Sequence, residues 1–104
     1  MIAFYGSVRS YGQLFEVCGF AAEARRIQEA FQARDVEAMV GAVTDAMIDE
    51  FAVAGSPEQV RAGLRRFDGL ADEVVLTVPS FRIGPERVAE ILTALTEHCA
   101  PAAR

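Results

Sequence analysis

The chain has 104 residues, 52% hydrophobic and 24% charged, with 15 acidic groups against 10 basic ones and a formal net charge of −5. That length holds one domain with a modest core, and the composition excludes intrinsic disorder. An acidic balance argues against broad binding to nucleic acid or to an anionic membrane surface. There is no 18-residue apolar run and no charged start followed by an apolar core, so the expectation is a soluble cytoplasmic protein. All ten basic residues are arginine, and lysine, asparagine and tryptophan are absent, a pattern we read as GC-rich coding bias. Cys18 and Cys99 are too far apart for a CxxC redox or zinc motif and read as free thiols.

In chain order, Phe4, Tyr5, Val8, Tyr11, Leu14, Phe15 and Cys18 recur at steps of three and four, which predicts a helical stripe broken near Gly6-Ser7. Gly19 is a C-terminal cap signal. A second helix is predicted over 21–34, with Ala24, Ile27 and Phe31 inward and Glu23, Arg26 and Gln28 outward. Asp35 opens a short helix carrying Val36, Met39, Val40 and Val43, and Thr44 caps the next, whose inward face is Met47, Ile48 and Phe51. Residues 51–55 end in glycine and read either as the end of that helix or as a brief parallel strand.

The next boundary is sharper. Ser56, Pro57 and Gln59 combine an N-cap, a proline at the first helical position and a Ser-x-x-Gln capping box. Val60, Leu64 and Phe67 form the inward stripe, and Asp68-Gly69 stops the helix. Val74-Val75-Leu76-Thr77-Val78 is a continuous β-prone run, as in a strand covered on both faces. Gly84-Pro85-Glu86 begins a last helix with Val88, Ile91, Leu92 and Leu95 inward, and the tail 100–104 is expected to fray. One firm strand and one doubtful one are too few, because a buried strand needs a neighbour at each edge. The run 74–78 therefore needs another copy, another chain or the rest of a longer protein.

The segment Thr44–Val60 with Ala71–Leu76 resembles the C-terminal part of luciferase-like monooxygenases, and within them the branch that uses the deazaflavin coenzyme F420, which includes methylene-tetrahydromethanopterin reductases. Ala3–Ser7 through Tyr11 to Gly19-Phe20 is similar to that branch's lead-in helix, and Ile83-Gly84-Pro85, after the last strand, also resembles that branch. The resemblance implies an α/β fold: the C-terminal portion of a (β/α)8 TIM barrel, helix-rich, with one or two parallel strands, a partial barrel. On that expectation 1–50 is a helical lead-in and insertion, 51–99 the last βαβα unit and 100–104 a tail. It implies hydride transfer or monooxygenation with coenzyme F420, or alternatively FMN, on a small-molecule substrate once the missing N-terminal barrel portion is supplied. Most of the pocket would come from absent strands, so the site is expected to be incomplete here.

The resemblance and the ends of the elements together single out two groups of residues. Gly55, Ser56, Ser80 and Arg82 are candidate contacts to the cofactor; Tyr5, Ser7, Tyr11 and Phe81, with Arg9 nearby, are candidate contacts to the substrate. Each has a plainer reading beside it. A helix N-terminus favours an anion at Gly55-Ser56, but capping alone explains the pair. Ser80 and Arg82 also fit a solvated loop, and the two tyrosines also fit packing beside a helix. No catalytic residue is assigned: His98 lacks a partner at useful spacing, and Asp45, Asp49 and Glu50 read as a solvated helix face rather than a metal cluster. The competing reading is a non-enzymatic, homo-oligomerising interaction module that pairs its apolar run with a second copy.

Overall fold

A computed structural model of the chain describes residues 1–101. It divides into two compact units, Met1–Ala52 and Val53–Arg104. Among the described residues the regular structure is entirely helical.

The first unit contains α1 (Ile2–Ser7), a 3-10 turn at Arg9–Tyr11, α2 (Gly12–Val17), α3 (Ala21–Gln32), α4 (Val36–Gly41) and α5 (Asp45–Phe51). Each boundary has a local cause. α1 stops at Ser7 because Val8 turns extended, with φ −86° and ψ 120°. α2 closes through Gly19 in the left-handed region (φ 86°), with the Phe20 N–H donating to the Phe15 carbonyl at 2.8 Å. The same six-to-one closure ends α3, where the Asp35 N–H donates to the Ala30 carbonyl at 2.9 Å. Here the left-handed residue is Arg34 (φ 57°), which lacks glycine's freedom and costs on the order of 1 kcal/mol. Asp35 then caps α4 by accepting from the Ala38 N–H at 3.0 Å, and Thr44 caps α5 by accepting from the Met47 N–H at 3.3 Å.

These short helices hold together by what they bury. Ala3, Phe15, Ala24, Ile27, Met39 and Met47 form the core, with Ile27 and Met47 both 0% exposed. The Phe51 ring packs on Phe15 (centroids 4.9 Å apart) and on Phe20 (5.6 Å), tying the end of α5 to the α2–α3 corner. Gly6 lets α1 lie close on α3: a Cβ there would sit 2.9 Å from Ile27 Cδ1 and 3.4 Å from Phe15 Cζ. This close approach corrects the predicted N-terminal stripe. The small residues Ala3 and Gly6 face inward, while Phe4, Tyr5, Tyr11 and Leu14 are exposed. The break expected near Gly6-Ser7 falls at Val8, and the helical turns on either side of it do not keep the stripe in phase. Phe31, also expected inward, is exposed.

The second unit consists of α6 (Pro57–Leu64), a 3-10 turn at Arg65–Phe67 and α7 (Pro85–Cys99), with α6 and α7 packed together. The capping box is present as predicted: Ser56 Oγ accepts from the Gln59 N–H at 3.2 Å, and Gln59 Oε1 accepts from the Ser56 N–H at 2.8 Å. Gly63 admits Val53 to the α6 surface, since a Cβ at residue 63 would lie 2.8 Å from Val53 Cγ1. Val60, Leu64, Phe67, Val88, Ile91 and Leu95 are half-buried, and no described residue of this unit is fully buried.

The α/β expectation is corrected here. Among the described residues there is no strand at 51–55 or at 74–78, and so no partial barrel. Phe51 ends α5, and residues 52–54 are irregular. Residues 73–80 carry neither helix nor ladder, although their composition is that of a buried strand. The reason is pairing. A β-prone segment becomes a strand only when another backbone accepts and donates along its edge, and the described residues offer it none. The tail expectation concerns 100–104, of which 102–104 lie outside the described residues.

Candidate functional site

In the first unit, α1 and the turn that follows it bring three of the sequence candidates into one neighbourhood. The Tyr5 and Tyr11 rings meet edge to face, with centroids 5.1 Å apart and planes at 78°, and Phe4 meets Tyr5 at 6.2 Å. Ser7 Oγ donates to the Phe4 carbonyl at 2.6 Å, which satisfies one of the last carbonyls of α1. Ser7 and Arg9 then line an open hollow with Gln28, Phe31 and Gln32 of α3.

The α3 residues were missed as site residues from sequence. A signal was available: positions 28, 31 and 32 share one face of α3, where an aromatic side chain lies between two carboxamides. The hollow offers a guanidinium, two carboxamides and a hydroxyl beside an aromatic ring. That set can hold a small polar or anionic group against an apolar one. It contains no nucleophile paired with a base, and among the described residues no cluster of three or more His, Cys, Asp or Glu side chains could hold a metal ion.

In the second unit, Ser56 lines another open hollow with Pro57, Glu58, Arg61 and His98. The start of α6 does not fit an anion. Of the N–H groups at positions 56–59, that of Ser56 is taken by Gln59 Oε1 and that of Gln59 by Ser56 Oγ, while Pro57 has none. Only the N–H of Glu58 is left, and its own carboxylate already supplies negative charge to the first turn. Gly55 stands at φ 129°, a conformation that suits glycine, and serves the chain reversal into this cap. The geometry of Gly55 and Ser56 is therefore that of a cap.

Ser80, Phe81 and Arg82 form a turn at the other end of the 73–80 segment, closed by the Ile83 N–H donating to the Ser80 carbonyl at 3.3 Å. Arg82 is exposed and left-handed at φ 58°, and among the described residues its guanidinium makes no ion pair. A cation beside a serine hydroxyl suits a phosphate or carboxylate. The described residues do not, however, shape an enclosed slot for the flat ring system of a flavin or deazaflavin. Tyr5, Ser7 and Tyr11 thus lie together in the first unit, while Gly55-Ser56 and Ser80–Arg82 occupy two different turns of the second. No helix among the described residues is long and apolar enough to cross a membrane.

Residues 1–73 match the model of the luciferase-like monooxygenase family. The chain is 33% identical over 75 residues to uncharacterized protein Mb1395 of Mycobacterium bovis and, to the same extent, to uncharacterized protein Rv1360 of Mycobacterium tuberculosis. Each match covers 71% of this chain and 22% of the relative, so the chain spans about a fifth of the length of these proteins. No solved structure matches it. A family match across well over half of its residues settles the affiliation: the chain belongs to the luciferase-like monooxygenase family.

Proposed function

We propose that this chain contributes to an oxidoreductase of the luciferase-like class, whose reaction is hydride transfer or monooxygenation with coenzyme F420 or, alternatively, FMN, on a small-molecule substrate. The observation that carries the reading is the family match over residues 1–73. The cofactor supplies the redox chemistry when bound; this chain's residues supply contacts. On this reading Ser80 and Arg82 meet the phosphate that both cofactors carry, because Arg82 is an exposed cation without an ion pair among the described residues. Tyr5, Ser7 and Tyr11 face the substrate, with Arg9, Gln28 and Gln32 orienting its polar groups, and Phe81 adds an exposed aromatic surface. Gly55 and Ser56 hold the start of α6 in place.

The test is equilibrium titration of the full chain with oxidised F420 and with FMN, following cofactor absorbance and fluorescence, repeated with Arg82→Ala and Arg9→Ala. Saturable binding of one cofactor that weakens in Arg82→Ala supports the reading. Identical, unsaturable responses to both cofactors in all three proteins would sink the assignment of cofactor contacts to this chain.

A further inference from the structure

We propose that the hollow between the Arg9–Tyr11 turn and α3 is a subsite for a small aromatic monocarboxylate, with Arg9 taking the carboxylate and Phe31 the ring. That this ligand is the substrate rests on the redox reading above; the binding itself does not.

The first support is the set of polar groups that line the hollow without partners. Arg9 is exposed, and among the described residues its guanidinium makes neither an ion pair nor a hydrogen bond. Gln28 and Gln32, one turn apart on α3, make no side-chain hydrogen bond among the described residues either. Gln28 is half-buried, and its Nε2 lies 4.0 Å from where a Cβ at Gly12 would stand. Its carboxamide therefore reaches from α3 across to the end of the turn that carries Arg9. Ser7 already donates its proton to the Phe4 carbonyl, so the free donors of the hollow are those of Arg9, Gln28 and Gln32. Arg9 is the one charged side chain among the lining residues, and none of them is acidic.

Charge and shape select the ligand. A single guanidinium balances a monoanion, whereas a phosphate dianion would keep an uncompensated charge beside a chain whose own net charge is −5. The planar fork of arginine matches the two oxygens of a carboxylate, and the carboxamides can donate to the lone pairs that remain. Phe31 shares the face of α3 that carries Gln28 and Gln32 and is 52% exposed, which gives the body of the ligand a flat apolar partner. The hollow encloses about 460 Å³, within the range of small-molecule sites. It is open to solvent and covers only part of such a ligand, so the expected dissociation constant is on the order of a millimolar.

Amide NMR spectra of the full chain titrated with benzoate test the proposal. The expected result is saturable shifts confined to residues 7–12 and 28–32. Arg9→Ala weakens binding by about tenfold or more, because it removes charge-assisted hydrogen bonds, and Phe31→Ala weakens it by about threefold. Both residues are exposed, so these variants keep the helical circular dichroism of the parent. Arg26→Ala removes a guanidinium that pairs with Glu23 on another face of α3 and leaves binding unchanged. Benzamide, which has the ring without the charge, binds about tenfold more weakly or not at all. A response that does not saturate, shifts centred elsewhere, binding of benzamide or inorganic phosphate as tight as that of benzoate, or an Arg9→Ala variant that binds as the parent does would each overturn the proposal. Saturable benzoate binding by a chain that binds neither F420 nor FMN keeps the subsite and removes the redox reading; cofactor binding without a benzoate response does the reverse.

Discussion

The contact between Gly6 and Ile27 gives the sharpest test of how the first unit is packed. A methyl group added at Gly6 meets Ile27 Cδ1 at 2.9 Å, well inside ordinary van der Waals distance, and Ile27 is 0% exposed. Gly6→Ala alone therefore combines an overpacking cost of about 1–3 kcal/mol with a gain in helix propensity of up to about 1 kcal/mol, for a net loss of roughly 0–3 kcal/mol. Ile27→Val alone deletes Cδ1 and costs about 0.5–1.5 kcal/mol. In the double variant the atom that blocked the new methyl group is gone. The nearest remaining neighbours are Ile27 Cγ2 at 3.3 Å, which valine keeps, and Phe15 Cζ at 3.4 Å. The methyl group then fills part of the space that valine leaves, and the double variant should recover at least about 1 kcal/mol relative to the sum of the single ones. Urea unfolding followed by far-ultraviolet circular dichroism on the four proteins measures that cycle. Additivity within about 0.5 kcal/mol would refute the packing of α1 on α3 described above.

Three further outcomes follow from the caps and the surface. Gly55→Ala places a Cβ against Gln59 Oε1 at φ 129° and should cost at least about 1 kcal/mol while opening the capping box, read as faster amide exchange at Ser56 and Gln59. Asp35→Ala removes the acceptor of the Ala38 N–H and should destabilise the first unit by about 1 kcal/mol in the same urea experiment. Glu90→Gln breaks the 2.8 Å ion pair with Arg87, but those side chains are 65% and 68% exposed, so stability should change by less than about 0.5 kcal/mol. A larger loss would mean that the pair does more than decorate the surface of α7.

Where local chemistry decides, the residues announced the structure. Ser56, Pro57 and Gln59 announced the start of α6, Thr44 and Asp35 the starts of α5 and α4, and Gly19 and Gly69 stand at the left-handed positions expected of glycines that close a helix. These devices act within four residues of one another, so the sequence carries them whole. Two matters could not be read this way. The inward faces of α1 and α3 depend on how closely the helices approach, and Gly6 reverses the hydrophobic reading by admitting Ile27 where a stripe of large residues was expected. The state of 74–78 depends on a partner: the β-prone composition is real, but a strand is a relation between two segments, and the described residues supply only one. The family resemblance was legible because motif order is carried by short stretches of sequence. The α/β architecture it implied did not carry over, because architecture belongs to the whole assembly of strands. For the site, Tyr5, Ser7 and Tyr11 were recognised as neighbours, whereas Gln28, Phe31 and Gln32 became visible only once α3 was set beside α1.

Every fully buried side chain of the described residues lies between Ala3 and Met47, and this has a consequence for how long the molecule survives. Local unfolding free energy follows buried contact, so amides of α3 should outlast those of α6 and α7 in exchange. The exposed, unladdered stretch 72–80 is already in the form that a protease cleft accepts, and cutting there requires no global unfolding. Turnover of the chain is therefore governed less by the strength of its core than by whether residues 72–80 are covered. Any partner that engages this stretch lengthens the protein's lifetime in direct proportion to how rarely it lets go.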